Sequence, residues 1–150
     1  MKKPKKKRQR PKAKTSQPVE LKERFEAEFA QALKSARTYV ENPRALEALV
    51  NDAAREAATM PREPFGETWP YFQAMLRLTR AYSRGVYREV GDSTLVVIIA
   101  AIIYVVNPLD VIPDALSALG YLDDATVIAL AVRRSRQRLD DFMIWETTGQ

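Results

Sequence analysis

Four aspartates, Asp110, Asp114, Asp123 and Asp124, fall within fifteen residues, with Asn107 just ahead of them. Carboxylate and amide oxygens are the ligands that hard cations such as Mg²⁺ or Ca²⁺ take, and a magnesium site often uses only one or two carboxylates plus water. The chain has no histidine and no cysteine. That excludes thiolate nucleophiles, Ser-His-Asp and Cys-His arrangements, histidine-liganded metals and cysteine zinc sites. Any catalysis would fall to carboxylates, Lys, Tyr or Ser/Thr. The spacing fits no calcium-loop pattern of the D-x-[DN]-x-[DN]-G type and no hydrolase motif. A structural role explains the same residues. Asp123 or Asp124 would cap the helix that follows, satisfying orphan N–H groups at its positive end. Asp110, followed by Pro113, would open a short helical turn that Gly120 closes in the left-handed region. Capping accounts for both the residue types and their places. The four aspartates stand as metal candidates only, and no catalytic residue, cofactor-binding residue or cofactor is assigned.

The elements that carry this turn are two apolar limbs. Residues 95–106 are twelve unbroken apolar positions, and a second apolar run resumes at Ala125. Two such limbs about an acidic, proline-punctuated turn read as a hairpin of buried helices. A buried strand is rejected for the first limb, because no partner strand exists elsewhere to pair its backbone. Gly91-Asp92-Ser93 supplies a stop and a cap, so Thr94 is expected to open this helix, and Asn107-Pro108 to end it. Being apolar on every side, the helix must be surrounded, by other helices or partly by lipid. Twelve residues reach about 18 Å against a hydrocarbon core of about 30 Å, which fits a core helix or a re-entrant segment better than a span. A transmembrane helix is kept as the alternative.

The string Tyr104, Asn107-Pro108, Asp110, Pro113-Asp114, Gly120 and Asp123-Asp124 resembles the YkvA-like family of bacterial domains. The likeness extends to Tyr82, Gly85, Tyr87 and Arg88 before the hairpin and to Phe142, Trp145 and Glu146 after it, covering about residues 40–146. The resemblance implies a membrane protein of unknown function, with no catalytic residues to carry over and no role assigned to the motif. Charge at bilayer depth costs roughly 2.5–3.5 kcal/mol even on lenient scales. The aspartates between the limbs therefore favour a hairpin that dips into one leaflet, or a bundle pressed against it.

The remaining chain divides into a tail and three helices. Residues 1–14 hold nine Lys/Arg and no acid, while residues 15–150 carry 15 basic against 19 acidic residues, a balance of −4. The net charge of +5 is thus the tail's property. No apolar segment follows the basic start, so no signal peptide is read there. Residues 1–17 are low-complexity and lack large apolar side chains, and are expected to be disordered. Their cations suit anionic lipid, with a solubilising tail that has no specific partner as one alternative and nucleic acid bound by residues 2–14 as the other, although no aromatic is interleaved to stack on bases. Residues 18–41 read as a helix with Leu21, Phe25, Phe29, Ala32, Leu33, Ala36, Tyr39 and Val40 on one stripe. Asn42-Pro43 then caps a second helix to about Met60, with Leu46, Leu49, Val50, Ala53, Ala57 and Met60 aligned. Residues 60–67, with two prolines and a glycine, form a linker. A third helix spans 69–82. Arg77, Arg80, Arg84 and Arg88, with Tyr82 and Tyr87, make a basic and aromatic patch, read either as a solvated face or as a surface for lipid headgroups. The last helix runs from Asp123 or Asp124 to about Trp145 on a stripe of Val127, Ile128, Ala131, Leu139, Phe142 and Trp145. Arg138 falls inside that stripe, so it must snorkel to solvent or meet an acid.

These readings assemble into an all-α bundle of about five helices. A disordered basic tail (1–17) leads into two amphipathic helices and a linker (18–67), then the apolar hairpin core (68–146). The function expected is non-enzymatic membrane association through the tail and the hairpin, with the tail on the cytoplasmic side. The alternatives are a soluble interaction module or nucleic-acid binder using the tail, and an aspartate-dependent divalent-metal enzyme. A protein partner, the substrate and the oligomeric state are not specified by the sequence.

Overall fold

The computed structural model describes residues 29–106 and 120–149, and every regular element among them is helical. Helix α1 occupies residues 29–39. Helix α2 spans Pro43–Thr59. After a 3₁₀ turn at Gly66–Thr68 come α3, Trp69–Ser83, and α4, Asp92–Val106. Helix α5 spans Gly120–Ile144 and runs into one π-helical turn at Trp145–Gly149. The basic tail lies outside the described residues.

The local chemistry sets several of these boundaries. The Asn42 side chain accepts a hydrogen bond from the Ala45 N–H (3.1 Å), and Pro43 occupies the first helical position, as the Asn-Pro pair predicts. Gly91 has φ +79°, a region open to glycine, and its carbonyl accepts from the Leu95 N–H (3.0 Å). Helix α4 therefore starts at Asp92, two residues earlier than expected. The start of α5 needs a larger correction. Gly120 is the first residue of the helix, so Asp123 and Asp124 lie inside its first turns and not at its N-cap, while the short turn expected before it lies outside the described residues.

Long-range side-chain contacts fix the direction of each helix. Ser83 and Arg84 reach Glu47 while Arg80 reaches Asn51, so α2 and α3 run antiparallel. The Tyr71 hydroxyl donates to Asp140 (2.7 Å) and Arg77 to Glu146 (2.7 Å), so α3 and α5 run parallel. Tyr87, just before α4, packs on Phe142 and Trp145 near the end of α5, with ring centroids 5.0 and 4.9 Å away. Helix α4 thus begins where α5 finishes, and the two form the antiparallel hairpin. The result is an up-down-up-down four-helix arrangement, to which α1 adds the buried Phe29, Ala32 and Ala36.

Helix α4 is the centre of this arrangement. Ten of its fifteen residues are buried, including the whole run from Ile98 to Val105. It packs against α2, α3 and α5 together. The stripes that face it are those that helical periodicity marks: Leu46, Leu49, Val50 and Ala53 on α2, and Val127, Ile128, Ala131, Leu139 and Phe142 on α5. Ala57 and Trp145 fall at the stripe edges and are half-buried. Arg138 is exposed, so it reaches past the apolar stripe to solvent. The transmembrane alternative fails for α4. Fifteen residues reach about 22 Å, and among the described residues no helix is long and apolar enough to cross a membrane.

Truncating the centre of α4 should be costly. Ile99 and Ile102 are fully buried, so Ile99→Ala or Ile102→Ala is expected to destabilise by about 2–5 kcal/mol. Val97→Ala, at a half-buried position of the same helix, should cost less. Denaturant midpoints at unchanged m-value measure the difference.

Candidate functional site

Of the motif residues around the aspartate turn, Asn107, Pro108, Asp110, Pro113 and Asp114 lie outside the described residues. Tyr104, near the end of α4, is fully buried, and Asp124, in the first turns of α5, is 5% exposed. Each is engaged in an interaction at its position, as removing a carboxylate or phenol from water requires. Gly120 and Asp123 are placed as residues of α5. Because α4 and α5 are antiparallel, Tyr104, Gly120, Asp123 and Asp124 gather at one end of the bundle. Among the described residues no group of three or more acidic, His or Cys side chains is placed to hold a metal ion.

The arginine and tyrosine patch occupies the opposite end. Its members are tied to partners within the fold. Arg77 makes a two-pronged bond to Glu146 at 2.7 and 3.0 Å. Arg84 and Ser83 both donate to Glu47, and Arg80 donates to Asn51 (2.8 Å) beside the same carboxylate. Arg88 lies over the Tyr82 ring, 4.3 Å from its centroid. These contacts hold the Glu47 carboxyl below the usual range, chiefly through the Arg84 hydrogen bond and then that from Ser83. The Tyr87 phenol is raised by burial and by Asp141 and Glu89, against the opposing charge of Arg138. A groove of about 430 Å³ beside the patch is walled by Arg77, Arg84, Val86, Phe142, Trp145 and Glu146. The cations of α3 clasp helices together, and their charge is largely matched.

Among the described residues a dense group of cations without ion pairs sits elsewhere, at positions that hydrophobic periodicity does not mark. Arg133, Arg134, Arg136 and Arg138 occupy four of six consecutive positions in α5, with no acid among them. All four are exposed. Arg134 lies over the Phe29 ring (5.9 Å) and Arg136 over the Tyr71 ring (4.9 Å). Among the described residues none of the four makes an ion pair. A local charge count would have found them. Sorting the helix by its apolar stripe singles out only Arg138, the one that falls inside it.

Comparison with known proteins places this architecture. Residues 94–130 match a family model described as a protein of unknown function (DUF1232). That stretch holds nearly all of α4, the connection after it and the first turns of α5. The chain is also 31% identical over 98 residues to the uncharacterized membrane protein YkvA of Bacillus subtilis (strain 168). The match covers 65% of this chain and 92% of the relative. No solved structure matches the chain.

The Glu47 clasp has a pH signature. A carboxyl held below its ordinary value stabilises the fold fully above the unfolded value, about 4.5, and that contribution is lost as pH falls through the lowered folded value. Melting of the native protein should therefore fall on acidification below about pH 4.5 more than that of Glu47→Gln. Equal acid sensitivity of the two would remove the clasp from the account. At neutral pH the substitution should cost about 1 kcal/mol or less, as for other solvent-accessible ion pairs.

Proposed function

The chain belongs to the YkvA-like family of unknown function (DUF1232), and from that premise we propose that it is a binding protein of the membrane surface. In this reading the folded bundle stays outside the hydrocarbon and catalyses no reaction of its own. The enclosure of α4 carries the proposal. Among the described residues the helix apolar enough to seek lipid, α4, already has protein around it, so attachment falls to electrostatics. The relative's description as a membrane protein supports the setting. The nine cations of residues 1–14 support the means, since each Lys/Arg near an anionic leaflet is worth about 1 kcal/mol. The tail then lies at the cytoplasmic face, where anionic headgroups attract it.

Such attachment is screened by salt. The full chain should co-sediment with vesicles of equimolar phosphatidylcholine and phosphatidylglycerol, and much less with phosphatidylcholine alone. Binding should weaken steeply as salt rises. Deleting residues 2–14 should weaken it at least tenfold. A chain that ignores the anionic vesicles at physiological salt would overturn the reading.

A further inference from the structure

We propose that the outward face of α5 around Arg133–Arg138 is the surface that the folded bundle lays against anionic lipid headgroups. This rests on the membrane reading above and adds an orientation to it.

The geometry of α5 sets the face. Ile128, Ser135, Leu139 and Phe142 are buried against the bundle. At 100° per residue the side opposite them is centred on Arg133 and Gln137, with Asp140 and Asp141 about 50° to either side, Arg134 and Arg136 farther out on the two flanks, and Arg138 at the edge of the buried stripe. The four arginines and Gln137 are exposed. The six residues from Arg133 to Arg138 rise about 8 Å along the helix, which sets Arg133 at the centre of the outward face between Arg134, on the Phe29 side, and Arg136, on the Tyr71 side. Guanidinium presents a planar fork of donors matched to phosphate oxygens, and it sheds water more readily than ammonium.

Contrast with α3 strengthens the assignment. There Arg77 is paired with Glu146, and Arg80 and Arg84 share Glu47. On α5, ring contacts steer Arg134 and Arg136 but leave their charge unmatched. Two acids follow on the same helix. Asp140 accepts from the Tyr71 hydroxyl and Asp141 from the Gln137 amide (3.2 Å), so they reduce the positive field without pairing the arginines.

An apolar feature on this face favours lipid over nucleic acid. Ile144 is 61% exposed, and at eleven residues beyond Arg133 it falls within about 20° of it on the wheel. The half-buried Trp145 is next to it. Arginines with an exposed aliphatic side chain about 9–16 Å further along the same face match a membrane interface. A phosphate backbone would leave Ile144 without a partner. Helices α2 and α5 are diagonal in the bundle, each packing on both α3 and α4. The exposed face of α2 would therefore point away from the membrane.

Two measurements on the full chain test this, both with equimolar phosphatidylcholine and phosphatidylglycerol vesicles. First, Arg133→Gln with Arg136→Gln is compared with Arg44→Gln with Arg55→Gln, an equal charge change on α2. The α5 pair should lose roughly thirtyfold in vesicle affinity, at about fivefold per arginine, and the α2 pair only a few-fold. Second, the chain has no cysteine, and Gln137 on α5 and Ala48 on α2 are both exposed. Gln137→Cys and Ala48→Cys therefore each accept one polarity-sensitive fluorophore. Vesicles should blue-shift the probe at position 137 and leave that at position 48 unmoved.

Equal losses in the two pairs, or a shift only at position 48, would overturn the proposal while native vesicle binding still upholds the membrane reading. Duplex DNA binding that depends on the α5 arginines, with vesicle affinity unchanged in their absence, would overturn it in favour of nucleic acid. A native chain that binds no vesicles would remove both readings together.

Discussion

A helix with apolar side chains on every side has no face to offer water, and α4 is such a helix. Its burial is the constraint from which the other elements take their places. Enclosing it requires apolar stripes from several directions, and α2, α3 and α5 supply them. The same demand explains the ordinary amphipathic character of those helices, since each needs only one face turned inward. Burying side chains such as Ile98, Ile99 and Ile102 contributes about 1.5–3 kcal/mol each against the entropy of ordering the chain. The hydroxyls and carboxylates that join α2, α3 and α5 set register, but they add little to that driving force.

The same enclosure separates the molecule into two ends with different chemistry. Tyr104, Asp124 and the start of α5 gather at one end. At the other lie the α3–α4 connection, the Tyr87–Phe142–Trp145 ring cluster and the Arg-carboxylate clasps. The aspartate motif and the α3 arginines therefore do not combine into one site. Between the ends, the α5 arginines make no ion pair among the described residues, although Asp140 and Asp141 follow them on the same helix.

Much of the fold is legible in the sequence because it depends on local periodicity. The stripes of α2 and α5 and the Asn42-Pro43 cap all involve residues within a turn or two of one another. The start of α5 is harder to read, because glycine is a poor helix former and aspartate a good cap, and both tendencies point to a start at Asp123 or Asp124. The observed start at Gly120 shows that preference overridden in the folded chain. The charged surface is legible only in part. Arg84 is neutralised by Glu47, 37 residues away, and Arg77 by Glu146, 69 residues away. No window along the chain distinguishes these from the unpaired arginines of α5. Tertiary contacts decide which cations are free.

The enclosure of α4 by protein is the central claim, and amide hydrogen exchange on the full chain in plain buffer tests it most directly. Helix α4 should contain the most protected amides, with residues 95–105 exchanging only on global unfolding. Adding anionic vesicles should leave those rates in place. Fast exchange along α4 in buffer, slowed only when vesicles or detergent are supplied, would contradict the account and return the helix to the lipid.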